Sequence, residues 1–264
     1  MTGPHDPEPW VDALAGSHDR LSDIVGGLGS DGVRRPSYCG GWTIAQVLSH
    51  LGSGAEIFEA ILDAVLAGEP APGHDSFPAV WERWNAMTPD EQVEGFCAAD
   101  GAFVEHLEHL GDRLDELEFV MFGSVRMDAA GFVGTRLSEH AVHTWDVAVA
   151  LDPAATVDDE AVALLVDRLP QMAARIGHAG GAGSRHPLEV TIRTTDPFRR
   201  FTLRVDDAVT LMPAEESREP AGSTLTLPSE AFVRLVYGRL DPAHSPTLEP
   251  EELVDGLRVV FPGF

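Results

Sequence analysis

The sequence contains no lysine; all 18 of its basic residues are arginines. Lysine Schiff-base chemistry is therefore excluded. Positive charge is scarce in any form, since 43 acidic residues leave a formal net charge of −25. Such a chain repels phosphate backbones and anionic membranes at long range, so neither nucleic acid nor membrane is expected as a partner. There are only two cysteines, Cys39 and Cys97, too few for a disulfide scaffold in a chain of 264 residues. They fit a reduced cytosolic protein and read as structural or incidental. The start, MTGPHDPEPW, lacks a charged segment followed by an apolar one, and no run approaches the roughly 18 apolar residues that cross a bilayer. A soluble cytoplasmic monomer or homodimer is expected. Also missing are GxSxG, a P-loop and the Rossmann glycine pattern, which argues against an elbow-type serine hydrolase, an NTPase and a dinucleotide enzyme.

What is present is helical periodicity. Over residues 6–28, Trp10, Leu14, Leu21, Ile24, Val25 and Leu28 recur at helical spacing before Gly26, Gly27 and Gly29. Thr43 is a candidate N-cap for a second helix whose apolar face carries Ile44, Val47, Leu48, Leu51, Ala55, Phe58 and Leu62. A loop rich in Gly and Pro covers 68–78, followed by Trp81 and Trp84. Thr88-Pro89 then opens a third long helix, carried through Phe96, Phe103, Leu107 and Leu114. The fourth covers 132–151, and a fifth covers 158–176 despite Pro170. From Leu188 the period changes to two, in Leu188-Val190-Ile192, in Phe201-Leu203-Val205 and in Leu225-Leu227, which predicts strands. Ser229 is expected to cap a short helix ending at Gly238. The expected fold is mainly α. A four-helix bundle with an additional helix would occupy residues 1–178 and a small α+β domain 179–264, divided at the flexible GHAGGAG run over 177–183.

The fourth helix carries the chemistry. Glu139 and His143 lie four residues apart, about 40° around the helix and about 6 Å along it, so their side chains can converge on one point. Val133, Leu137, His140, Thr144, Val147, Ala148 and Leu151 form the neighbouring inward stripe, which assigns His140 to packing. By spacing alone, a Glu-x-x-x-His pair is more often a solvated neighbour pair than half a metal site. His50, roughly 110° from the centre of the second helix's apolar face and beside Gly54, is the candidate third ligand. Two His and one Glu form the ligand set of an open catalytic zinc site. The rivals are His140, Asp146, His74 and the pair His106 and His109, the last two on an acidic, solvated face with Glu105 and Glu108. Trp42 and Trp145 are expected to pack the bundle. Asp146 fits either a packing role or the orientation of a ligating histidine.

Two segments carry a resemblance. Gly41-Trp42-Thr43 through His50-Leu51, and Glu139 through His143-Thr144-Trp145-Asp146, resemble the "WT…HL" and "E…H-x-W-D" signatures of the DinB-like, mycothiol-dependent maleylpyruvate isomerase family. Pro228 through Phe232, with Tyr237-Gly238-Arg239, is similar to that family's C-terminal helix ending in "GR". The resemblance implies a DinB-like bundle holding a divalent metal, usually zinc, by His50, Glu139 and His143, with a small α+β domain closing over the site. It further implies a mycothiol-like thiol that the metal activates for isomerisation of, or S-transfer to, a small electrophile. In an isomerase the thiolate would add to a conjugated double bond, rotation would follow, and elimination would return the other geometry. Arg239, at the "GR" position, and Arg83, after the long loop, are the candidate arginines for the substrate. Two other readings stay open: a metal- or small-molecule-binding protein without turnover, and a family member repurposed as a lyase or cyclase in a biosynthetic pathway.

Overall fold

The computed structural model describes residues 6–121, 125–182, 188–215 and 222–263. They divide into two compact units, the first ending at Val157 and the second beginning at Asp158.

Four long helices make the first unit: α1 (Glu8–Gly26), α2 (Ile44–Ala67), α4 (Pro89–Leu110) and α5 (Ala129–Ala148), with a shorter α3 (Phe77–Asn85) between α2 and α4. Three of the long helices have chemically defined starts. Thr43 and Gln46 form a reciprocal capping box at α2, Thr88 and Glu91 do the same at α4, and the Asp128 carboxylate accepts from Gly131 N–H at 2.8 Å to open α5. Gly68 ends α2 with φ +69°, a left-handed conformation that suits glycine. Helix α2 packs on α4 and α1 on α5, enclosing Leu21, Val25, Ile44, Val47, Leu48, Leu51, Phe96 and Val147. Full burial of each such side chain contributes about 1.5–3 kcal/mol. Trp84, 3% exposed, packs its ring against Gly52, where a Cβ would collide with it. This docks α3 on α2.

Two details differ from the periodicity. The third long helix stops at Leu110 rather than continuing to Leu114, because Gly111 turns the chain with φ +48° into a short 3-10 segment. An antiparallel pair, β1 (Glu118–Met121) and β2 (Val125–Asp128), then leads into α5.

The second unit is α+β. Strands β3 (Leu188–Thr195), β4 (Arg199–Val205), β5 (Val209–Pro213) and β6 (Ser223–Pro228) form a sheet of order β5-β4-β3-β6, antiparallel except for the parallel β3-β6 pair. Ile192 sits between Phe201 and Leu225 in this register, placing the alternating apolar residues on one buried face. Helices α6 (Asp159–Leu165) and α7 (Leu169–Ile176), expected with the bundle, pack within this unit instead, α6 on α8 (Ser229–Val236) and α7 on β5. Pro170 sits in the first turn of α7, where its missing N–H costs nothing. The chain finishes with α9 (Glu251–Val260). Ser229 does not cap α8; its hydroxyl donates to the Pro197 carbonyl at 2.8 Å. Of the glycine-rich run over 177–183, Gly183 lies outside the described residues. No helix of the described residues is long and apolar enough to cross a membrane.

Candidate metal centre

Helices α2 and α5 bring the three residues singled out by their spacing to one place. His50 Nε2 is 3.4 Å from Glu139 Oε2, and His143 Nε2 is 3.8 Å from the same oxygen. The two imidazole rings stand edge to face with centroids 4.8 Å apart. Ligand atoms about 2.0–2.1 Å from a tetrahedral ion keep about 3.4 Å between one another, so this donor set is spaced to be able to hold a metal ion.

The buried Asp146 acts on the other side of His143. Its Oδ2 lies 2.8 Å from His143 Nδ1. A carboxylate facing Nδ1 holds the proton there and leaves the lone pair at Nε2, aimed at the Glu139 carboxylate. With that tautomer, the Nε2 lone pair and the Glu139 carboxylate together can hold a cation. Cys39, read from the sequence as incidental, joins this arrangement: its thiol donates to Asp146 Oδ2 at 3.0 Å and lies 3.6 Å from His143 Nδ1. Asp146→Asn is expected to weaken metal affinity about 10–100-fold without unfolding the protein, as competition against a chelator would measure. Unchanged affinity would reduce Asp146 to packing.

Burial pushes the Glu139 pKa up, but the hydrogen bond with His50, the charges of His143 and His50, and the Arg136 guanidinium outweigh it and hold the carboxyl at about 2. Glu139 is an anion at every working pH.

Beneath the site lies a buried polar network. Asp100, on α4 and fully enclosed, accepts from Arg136 Nη2 at 2.5 Å through one oxygen, while the other lies 2.7 Å from His18 Nδ1 and 3.0 Å from His140 Nε2. His140 Nδ1 is 2.8 Å from the Ser17 hydroxyl. The inward stripe therefore carries a hydrogen-bonded charge cluster at His140, not apolar packing. Arg136 also donates from Nη2 to the carbonyl of Leu51 at 2.7 Å, tying α5 to the residue next to His50. Sequence reasoning missed Asp100, although the signal was present: it occupies the apolar stripe of its helix between Phe96 and Phe103.

The other candidates have partners of their own. Arg83 is held by Glu56, which lies six residues beyond His50 on α2 and so about 120° around the helix from it. Arg239 belongs to the second unit, where its buried guanidinium donates to the Tyr237 carbonyl at 2.7 Å. His74 packs tilted against the Phe77 ring and edge to face with Trp81. His106 pairs with Glu59 across α2 and α4 at 2.6 Å, more enclosed than a solvated face implies, and His109 lies 2.6 Å from the carbonyl of Glu105 one turn back. Trp145 packs as expected, against Tyr38, with Nε1 donating to Ala155 at 2.9 Å. Trp42 does not: it stands 39% exposed beside His50.

Residues 14–148 match the family model of the mycothiol maleylpyruvate isomerase N-terminal domain, a span that includes His50, Glu139 and His143. Two crystal structures of a mycothiol-dependent maleylpyruvate isomerase, one of them a histidine-to-alanine mutant, are similar to this chain with TM-score 0.65 and 14% sequence identity. Each alignment covers 94% of this chain and 96% of the other. At that identity the likeness establishes the fold, bundle and small sheet domain together. No curated protein matches the sequence.

Proposed function

Because this chain belongs to the family of the mycothiol maleylpyruvate isomerase N-terminal domain, we propose that it is a divalent-metal-dependent enzyme that uses a mycothiol-like thiol. Its reaction would be isomerisation of, or S-transfer to, a small electrophile. The observation that carries this reading is the convergence of His50 Nε2, Glu139 Oε2 and His143 Nε2 from two facing helices. Zinc suits two imidazoles and one carboxylate. A metal held there supplies Lewis acidity, depressing the pKa of a coordinated thiol so that thiolate is available near neutrality.

The chain's own residues prepare that site. Asp146 keeps the His143 lone pair on Nε2. Glu139, ionised throughout, supplies one negative charge against the metal's two, leaving net positive charge to stabilise a thiolate. Arg136 ties α5 to α2 through the Leu51 carbonyl and to α4 through Asp100, so the ligands do not have to be ordered on binding. From its place in the Tyr237-Gly238-Arg239 segment, which resembles the family's "GR", Arg239 is our candidate for the substrate carboxylate, a group that a planar guanidinium binds in bidentate fashion. The Glu56-paired Arg83 suits that role less well.

Plasma mass spectrometry of untagged protein is expected to find near-stoichiometric divalent metal. The visible spectrum of the cobalt-substituted protein should change on adding mycothiol, but not its S-methylated form. Protein that takes up no zinc on reconstitution would sink the metal reading, and metal-loaded protein indifferent to mycothiol would leave a binding protein without thiol chemistry. Arg239→Ala should raise KM for an anionic substrate such as maleylpyruvate roughly tenfold or more, with metal content unchanged.

A further inference from the structure

The loop before α2 is held firmly and presents a large aromatic to solvent. Trp42 N–H donates to the Cys39 carbonyl at 3.0 Å, and the Trp42 carbonyl accepts from Ser37 N–H at 2.9 Å and from the Ser37 hydroxyl at 3.0 Å. Gly41, with φ +82°, makes the turn. Pro36 bridges to Thr43, and Thr43 caps α2. The loop is also tied to α5, through Tyr38 N–H donating to the Asp146 carbonyl at 3.0 Å, the Tyr38 ring edge-on to Trp145, and the Cys39 thiol on Asp146. The backbone of Trp42 is thus fixed on both sides of the ligand helices.

Its side chain is not consumed by the core. Trp84 and Trp145 are 3% and 1% exposed, whereas Trp42 is 39% exposed. The indole centroid lies 5.6 Å from the His50 ring and 6.5 Å from the His143 ring, within 18° of parallel to the latter. A rigid, exposed indole beside two imidazoles is an unspent stacking surface, since rings attract planar π-systems beyond simple area burial.

We propose that Trp42 is the aromatic wall of the substrate site, stacking on the planar unsaturated part of the electrophile and selecting conjugated substrates over saturated ones. This rests on the metal-and-thiol reading above. Trp42 touches substrate in this assignment and is not a metal ligand, so its replacement leaves the donor set intact.

The test uses the full chain loaded with zinc and two probes of equal charge and carbon number, fumarate, which is planar and conjugated, and succinate, which is neither. Calorimetric titration of wild-type protein is expected to show fumarate bound about tenfold tighter than succinate. Trp42→Ala should erase that preference, and Trp42→Phe should keep part of it, with zinc content unchanged in both. Equal affinities in wild type, or a preference that survives in Trp42→Ala, would overturn the assignment. So would loss of zinc from Trp42→Ala, which would make the indole part of the metal site. Wild-type protein that takes up no zinc would fail at the metal reading itself, and the Trp42 assignment would fall with it.

Discussion

Replacing His50 with alanine is expected to abolish metal binding while leaving the protein folded. One of the three proposed ligands disappears, and the loss should exceed the roughly 100-fold that even an outer hydrogen-bond partner can cost. The fold should survive because His50 lies outside the apolar core: its side chain is 37% exposed and meets Glu139 and the neighbouring rings of Trp42 and His143. The melting temperature of metal-free protein should move by no more than roughly 2 °C. Mass spectrometry for metal content and calorimetry of the apo forms check the two halves separately. Retained stoichiometric metal in His50→Ala would move the site elsewhere, and the His18-Asp100-His140 cluster would be the next place to look.

The second large effect concerns stability. Asp100→Ala leaves the Arg136 guanidinium buried without its carboxylate, and breaking a buried ion pair from one side costs about 3–5 kcal/mol. Urea denaturation should show that loss as a shifted midpoint. Replacing Asp100 and Arg136 together by apolar residues of similar volume should cost far less than the single change, because no orphaned charge remains. A loss below about 1 kcal/mol in Asp100→Ala would show the network to be relaxed or wet.

The same network makes acid destabilising. Burial lowers the pKa of His140 from the ordinary 6.5, against the raising influence of Asp100. Below that value the unfolded chain takes up a proton that folded His140 refuses, and stability falls as pH falls. Burial raises the pKa of Asp100, but the charges of His140 and Arg136 and the hydrogen bonds of His140 and His18 outweigh it and hold the carboxyl well below the ordinary 3.8. Its contribution is intact above the ordinary aspartate range and is lost as pH drops beneath it. Wild-type stability should therefore decline in two stages on acidification. In Asp100→Ala the lower stage should shrink.

How much of this was legible in the sequence follows from what periodicity encodes. Apolar spacing and caps such as Thr43 and Thr88 marked the helices, because a helix must bury its stripe and satisfy its first N–H groups wherever it sits. Alternation at Val190, Ile192, Leu203 and Val205 marked the sheet for the same reason. Glu139 and His143 were visible as a pair because four residues of helix fix their separation.

Whatever depended on a distant partner was decided only by tertiary structure. Periodicity says which face of 159–176 is buried but not against what, and the structure places those helices within the sheet unit. Asp100 and Arg136 are separated by a turn segment and a strand pair, and each alone reads as a misplaced charge in an apolar stripe; together they are a satisfied pair. Asp146, three residues from His143 on one helix, left packing and orientation both open in the sequence, and the fold decided for the hydrogen bond; the sequence likewise did not separate the exposed Trp42 from the buried Trp84 and Trp145. Local spacing along one helix is set by covalent geometry and can be read from sequence. Pairing between helices is set by which surfaces exclude water together, and no single segment contains that information.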